Sequence, residues 1–331
     1  MPTDHAAAMA ARAPGCKTPQ PWHPVWNAAL FDFPSLCLSR SLCSSSSCSA
    51  APIDGPAGDR HDQVVADDWP IFDSSAPAAP RRNIKLIIAY DGSAYHGWQR
   101  QGQGLMTVQQ RVEEAAAHVM RHPVVVLGAG RTDAGVHAAG QVANFQTTNL
   151  AIPLRGMRRA MNARLPRDVA VRSAAEVPGW FHASRSAIGK TYQYRIHVAP
   201  DRPVMLSRQV YHYWRALDLE PMREAGRRLL GRHDFRGLAT SAEVRQDTVR
   251  RLWRCDVTGQ GPEIHITVEG DGFLYNMVRN IVGTLIEVGR GLWGPERIER
   301  VLATCDRRLA GPTAQPEGLC LVAVHYPPMA T

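Results

Sequence analysis

Apolar and polar positions in residues 81–331 fall into short stretches of period 2 and period 3.6, separated by Gly, Asp and Pro. Residues 1–80 show no sustained period of either kind. Residues 83–90 alternate into an apolar run and stop at Asp91-Gly92, the pattern of a strand closed by a turn. Thr107-Val-Gln-Gln110 fits a capping box, and Val108, Val112, Ala115, Ala116, Val119 and Met120 recur on one face of the helix it opens. That face predicts core. Residues 124–127, all aliphatic, predict a short buried strand, and residues 141–145 a further strand after a glycine-rich loop. Residues 154–163 predict a basic helix carrying Arg155, Arg158 and Arg159.

The second half repeats this plan loosely. Residues 190–198 read as a strand with Tyr192 and Tyr194 on one side and Arg195 and His197 on the other. A helix is expected over residues 221–230, with Pro221 in its first turn, a strand over residues 264–269, and a helix over residues 274–288. The fold class is therefore α+β: two RRM-like or ferredoxin-like units, each an antiparallel sheet backed by helices, over residues 81–184 and 185–331. The first unit carries the glycine-rich loop and the second completes a cleft against it. Residues 1–80, rich in Ala, Pro and Ser, read as a disordered extension. Asp4, Asp32 and Pro34 interrupt any signal-like apolar run, and a misplaced start codon accounts for the segment at least as well as targeting does.

Charge sharpens this picture. Residues 81–331 hold 34 Lys or Arg against 22 acids, an excess that suits a polyanionic partner. No apolar run is long enough to span a bilayer, which leaves nucleic acid favoured over a membrane surface. Seven cysteines without a C-x-x-C pair argue against a disulfide framework and a structural zinc site, and favour a reducing compartment. His118 and His122 are four apart, but the glutamate of H-E-x-x-H is missing and Pro123 follows at once. A histidine at a helix C-terminus is the better reading than a metal ligand.

The loop Gly128-Ala-Gly-Arg-Thr-Asp-Ala-Gly-Val-His-Ala138 holds the candidate chemistry. Asp133 could be a turn residue that satisfies its own backbone. A dinucleotide fingerprint fits poorly, because Asp133 stands where the third glycine belongs and would repel a pyrophosphate. A third reading is a catalytic carboxylate oriented by the neighbouring Arg131 guanidinium. The loop by itself does not choose between the first and the third.

Seven segments in order resemble the tRNA pseudouridine synthase A family. They are Tyr90-Asp-Gly-Ser-Ala-Tyr-His-Gly-Trp-Gln99, Gly130-Arg-Thr-Asp-Ala-Gly-Val-His-Ala138, Phe181-His-Ala183, Lys190-Thr-Tyr-Gln-Tyr-Arg195, Gly231-Arg-His-Asp-Phe235, Asn276-Met-Val-Arg-Asn-Ile-Val-Gly283, and Gly311-Pro-Thr-Ala314 with Gly318-Leu319. The likeness covers residues 83–326. It implies a cytoplasmic enzyme that isomerises uridine to pseudouridine in the anticodon stem-loop of tRNA, at positions 38, 39 or 40, as a homodimer without cofactor or metal. Asp133 would be the catalytic aspartate.

By the same resemblance Arg131 would pair with Asp133 or fill the space left by a flipped uridine, and Tyr192 would stack on the base and help move the C5 proton. Arg279 would be a second basic group beside Asp133, and Leu319 an apolar wall of the base pocket. Trp98, Phe235 and the helix of Gly283 are assigned to packing. Arg155, Arg158, Arg159, Arg227 and Arg228 are candidate phosphate contacts, which solvated helix faces would explain equally well. The chain departs from the family at Ser184, where arginine is common, at Gln315, a common proline, and at Cys320, usually aromatic. A catalytically silent RNA-binding module or tRNA chaperone is the rival reading.

Overall fold

A computed structural model describes residues 80–102, 104–240 and 246–328. The expected disordered extension lies, Pro80 aside, outside the described residues. Ten strands join in one mostly antiparallel sheet, ordered β4-β1-β3-β10-β5-β9-β8-β7, with β2 paired to β3 and β6 to β5. The first half supplies β1 (Arg82–Tyr90), α1 (Val108–Met120), β2 (Leu127–Gly128), β3 (His137–Thr147), α2 (Leu154–Asn162) and β4 (Val169–Val177). From the second half come β5 (Gly189–Val198), β6 (Tyr211–Tyr213), α3 (Leu219–Arg227), β7 (Gly231–Asp234), β8 (Val249–Gln260), β9 (Glu263–Gly270), α4 (Met277–Gly289), α5 (Arg297–Thr304) and β10 (Leu319–His325).

The last strand joins the two halves. β10 runs parallel to β3 through Cys320 and Leu321, and antiparallel to β5, where Leu319 faces Tyr194 and Leu321 faces Tyr192. Tyr192, Leu321 and Ala138 therefore lie in one row across three strands. An apolar core runs under both halves, from Ile84, Leu86 and Ile88 of β1 through Met157 and Met161 of α2 to Tyr194 and Ile196 of β5 and Ile281 of α4. Ile87, of opposite parity on β1, packs instead with Val142, Val177 and Phe181 in a smaller cluster.

Local chemistry accounts for several boundaries. Thr107 Oγ1 accepts the Gln110 N–H at 3.4 Å, but the Gln110 side chain turns to Glu114 at 2.8 Å, so only one half of the expected capping box forms. All six apolar positions expected on the core face of α1 are buried. The strand expected over residues 124–127 begins only at Leu127, although Val124 and Val126 are buried. Burial without a ladder partner produces the same apolar pattern. Asp218 caps α3, three residues ahead of Pro221, by accepting the Glu220 N–H. α4 starts at Met277 because Asn276 adopts a left-handed conformation, φ 58°, that breaks the helical run from residue 274.

Candidate active site

Asp133 sits in the turn between β2 and β3, and its neighbours hold that turn from below. Thr132 Oγ1 shares a 2.8 Å hydrogen bond with Tyr90 Oη, and its carbonyl accepts the Trp98 N–H at 3.0 Å. Gly97, at φ 90°, lets the 91–99 segment approach so closely that a Cβ there would lie 2.5 Å from that same carbonyl. Gly130 O accepts from Gln141 Nε2 at 2.8 Å, and Gly135 N–H reaches Tyr95 O at 3.3 Å. With the flanking residues thus bound, the Asp133 carboxylate is left to face the second half of the chain.

What it meets there is Arg279, in the first turn of α4. Arg279 Nη1 donates to Asp133 Oδ2 at 3.2 Å and to Asn276 Oδ1 at 2.8 Å, and its Nε donates to Ala314 O at 2.7 Å. Ala314 N–H returns a bond to Arg279 O at 3.1 Å. The guanidinium therefore ties the Asp133 loop to α4 and to the strap 311–318 that leads into β10. The strap presses on α4 at Gly283, where a Cβ would stand 1.7 Å from Pro312 O. Asn280, buried in α4, accepts from Arg307 Nη2 at 2.9 Å and Thr313 Oγ1 at 2.7 Å, which fixes the strap's course. His137 closes the other end: its Nδ1 accepts the Gly92 N–H at 3.1 Å while Nε2 lies 3.2 Å from Glu317 O.

Burial pushes the Asp133 carboxyl above its ordinary range, and the charge and hydrogen bond of Arg279 pull against that rise without cancelling it. Only 23% of the Asp133 side chain and 16% of that of Arg279 are exposed, so their attraction is weakly screened. Tyr192 is buried, its ring 5.0 Å from Phe273 at 79°, edge to face. Burial first, and the Asp133 charge second, push its hydroxyl well above the ordinary value of 10. Leu319 is buried at the start of β10.

Asp133 and Arg279 thus meet directly, Tyr192 feels the charge of Asp133, and Leu319 begins β10, which lies between β3 and β5. Arg131 does not pair with Asp133. Its side chain is exposed and makes no hydrogen bond or ion pair among the described residues. Proximity in sequence favoured Arg131, but a residue 146 positions away supplies the guanidinium. Lys190, in the sequence only the first residue of a matched segment, also reaches the loop, its Nζ 2.8 Å from where a Cβ on Gly130 would be. Asn276, the Ala314 carbonyl and His137 were likewise illegible as supports, since only the fold brings them to the loop.

Trp98 and Phe235 are fully packed, as expected. Gln315 serves through its backbone carbonyl, which accepts from Tyr194 Oη at 2.8 Å, and the half-buried Cys320 thiol is pushed up to about 12 by burial. Ser184 is exposed. Among the described residues no group of three or more His, Cys, Asp or Glu is placed to hold a metal, and His122 Nε2 lies 2.8 Å from Thr147 Oγ1. No helix among them is long and apolar enough to cross a membrane.

Comparison with known proteins agrees with this geometry. A family model described as tRNA pseudouridine synthase matches residues 86–184 and 225–327. The tRNA pseudouridine synthase A of Syntrophotalea carbinolica is 46% identical over 245 residues, covering 74% of this chain and 96% of that protein. A tRNA pseudouridine synthase A 2 from Clostridium perfringens is 45% identical over 245 residues, 74% of this chain and all of that one, and the Geobacter sp. enzyme is 46% identical over 247 residues, 74% and 99%. With Asp133, Arg279 and their supports inside the matched segments, the chain belongs to the tRNA pseudouridine synthase family.

Proposed function

We propose that this chain isomerises uridine to pseudouridine in the anticodon stem-loop of tRNA, at positions 38, 39 or 40, with Asp133 as the catalytic carboxylate. The observation that carries the reading is the mostly buried Asp133–Arg279 pair, within a chain 46% identical to a tRNA pseudouridine synthase A. The reaction breaks the N1–C1′ bond, turns the uracil, and forms a C5–C1′ bond. C5 then loses its proton and N1 gains one, so no atom is gained or lost overall. One carboxylate suffices for this. It attacks C1′ or C6, or it stabilises the charge that develops as the glycosidic bond breaks.

Arg279 keeps that carboxylate available at neutral pH against the pull of burial, and orients it through a fork that Asn276 and Ala314 hold in place. Chemistry on a base requires its removal from the stack. The exposed, unpaired Arg131 suits the role of filling the vacated position. Tyr192 offers an aromatic surface for the flipped base and a neutral hydroxyl for proton movement at C5, and Leu319 keeps the pocket dry, which strengthens charge interactions inside it. Homodimerisation and a cytoplasmic location belong to the same proposal. Light scattering is expected to give twice the 36.4 kDa chain mass, and the mass of a single chain would overturn the dimer.

The rival, a silent RNA binder, has no use for a buried carboxylate facing a polyanion. An anticodon stem-loop tritiated at uracil C5 separates the two. The enzyme releases tritium to water with multiple turnovers, while a binder retains it on the RNA.

A further inference from the structure

We propose that α2 and the 163–168 loop after it, together with the cleft they form against α1, are an RNA-binding surface that grips the sugar-phosphate backbone of the tRNA beside the Asp133 site. The inference rests on the tRNA reading above. Two sets of arginines stood as phosphate contacts in the sequence, and the structure separates them. Arg227 is held by Glu224 at 3.0 Å and Glu220 at 3.6 Å, and Arg228 by Glu224 at 3.2 Å and Glu299 at 2.9 Å. Those charges are already neutralised within the protein.

The α2 set is different. Arg155, Arg158, Arg159, Arg164 and Arg167 are all exposed, and none has a carboxylate partner among the described residues. Arg158 spends one N–H on the Arg172 carbonyl at 3.2 Å. Met157 and Met161 are fully buried, so packing fixes the helix with its arginines outward. A helix face that carries this much charge without local acids repels itself and gains from a polyanion that neutralises it.

The adjoining cleft, about 530 Å³, is lined by Arg111, His118 and Arg164 with Tyr95, Glu114 and Asp168. Its acids are engaged. Glu114 takes Arg111 at 3.0 Å and Gln110 at 2.8 Å, and Asp168 takes Tyr95 Oη at 2.7 Å. His118 and Arg164 have no such partner among the described residues, so the open donors in the cleft are theirs. Tyr95 forms a shared wall, since its carbonyl receives the Gly135 N–H of the Asp133 loop at 3.3 Å. An RNA whose uridine enters at Asp133 thus continues past Tyr95 onto free guanidinium groups.

The test compares Arg155→Gln/Arg159→Gln/Arg164→Gln with Arg227→Gln/Arg228→Gln, using an unmodified tRNA transcript between 50 and 300 mM KCl. The α2 variant is expected to lower the slope of log Kd against log [KCl] by about one per arginine removed, and to raise KM for tRNA roughly tenfold or more at constant kcat. The α3 variant keeps the wild-type slope and KM. An α2 variant with wild-type slope and KM, or one matched by the α3 variant, overturns the inference. Tritium release by the wild type reads the enzymatic proposal separately, so the failure of either is recognisable.

Discussion

Replacing Arg279 with Gln removes the charge that opposes the burial of Asp133. Two unit charges about 4 Å apart at an effective permittivity of about 20 attract by about 4 kcal/mol. Roughly one fifth of each side chain is open to solvent, at 16% and 23% exposure, which cuts the useful part to about 2 kcal/mol. That is about a 30-fold change in the proton affinity of the carboxylate. The direction follows from burial: the Asp133 carboxyl already lies above its ordinary value, so its ionised share declines as pH falls through the raised value. Losing the guanidinium raises it further. The acid limb of kcat/KM for tritium release, followed from pH 4.5 to 9, therefore moves to higher pH in Arg279→Gln. On the acid side the variant loses about 30-fold more, relative to wild type, than on its plateau. Arg279→Lys keeps the charge without the fork that also reaches Ala314, so its plateau drops while its acid limb stays close to that of wild type. Acid limbs that superimpose for Arg279→Gln and wild type would refute the assigned role of the pair.

Tyr192→Phe is expected to lower kcat by about 10²- to 10⁴-fold with little change in KM, because the hydroxyl and not the ring is lost. Since that hydroxyl stays protonated well above its ordinary value, the wild-type pH profile has no alkaline limb from Tyr192 below about pH 10; unchanged single-turnover rates in the variant would remove it from proton transfer. Gly283→Ala forces a methyl group against the Pro312 carbonyl, now 1.7 Å from the Cβ position. A loss of about 1–3 kcal/mol follows, seen as a lower Tm by calorimetry, whereas an unaltered Tm would mean that the strap yields freely. Asn276→Gly and Asn276→Ala both cut the bond to Arg279 and should depress kcat alike. Only Ala carries the added left-handed strain of about 1–2 kcal/mol at φ 58°, so only Ala drops further in Tm. Full activity in Asn276→Gly would show that the hold on Arg279 is dispensable.

Periodicity revealed the elements whose burial is one-sided. The α1 face and the alternation in β1, β5 and β9 were legible residue by residue. It missed β4, β6, β7, β8, β10 and α5, and for β8 and β10 the reason is identifiable. β8 runs Val-Arg-Arg-Leu-Trp-Arg-Cys with a register shift between Leu252 and Arg254 that breaks the alternation, and β10 becomes a strand by insertion between β3 and β5. Asp133 stood out because glycines and a lone acid share one loop. Its partner Arg279 is reached only through the family resemblance, because locally it reads as one more polar residue at the start of an apolar helix, and α4 and the strap must dock before the guanidinium meets the carboxylate. At the Gln315 departure the contact to Tyr194 is made by the backbone carbonyl, which a change of side chain leaves in place.

The most direct measurement counts pseudouridine against tritium in one reaction. An unmodified tRNA transcript labelled at uracil C5 is incubated with wild type and with Asp133→Asn, digested to nucleosides, and quantified by chromatography. One tritium is expected per pseudouridine formed, confined to the anticodon stem-loop, and neither product from the Asn variant while its tRNA affinity persists. Pseudouridine from Asp133→Asn at the wild-type rate, or none from wild type bound to tRNA, would contradict it.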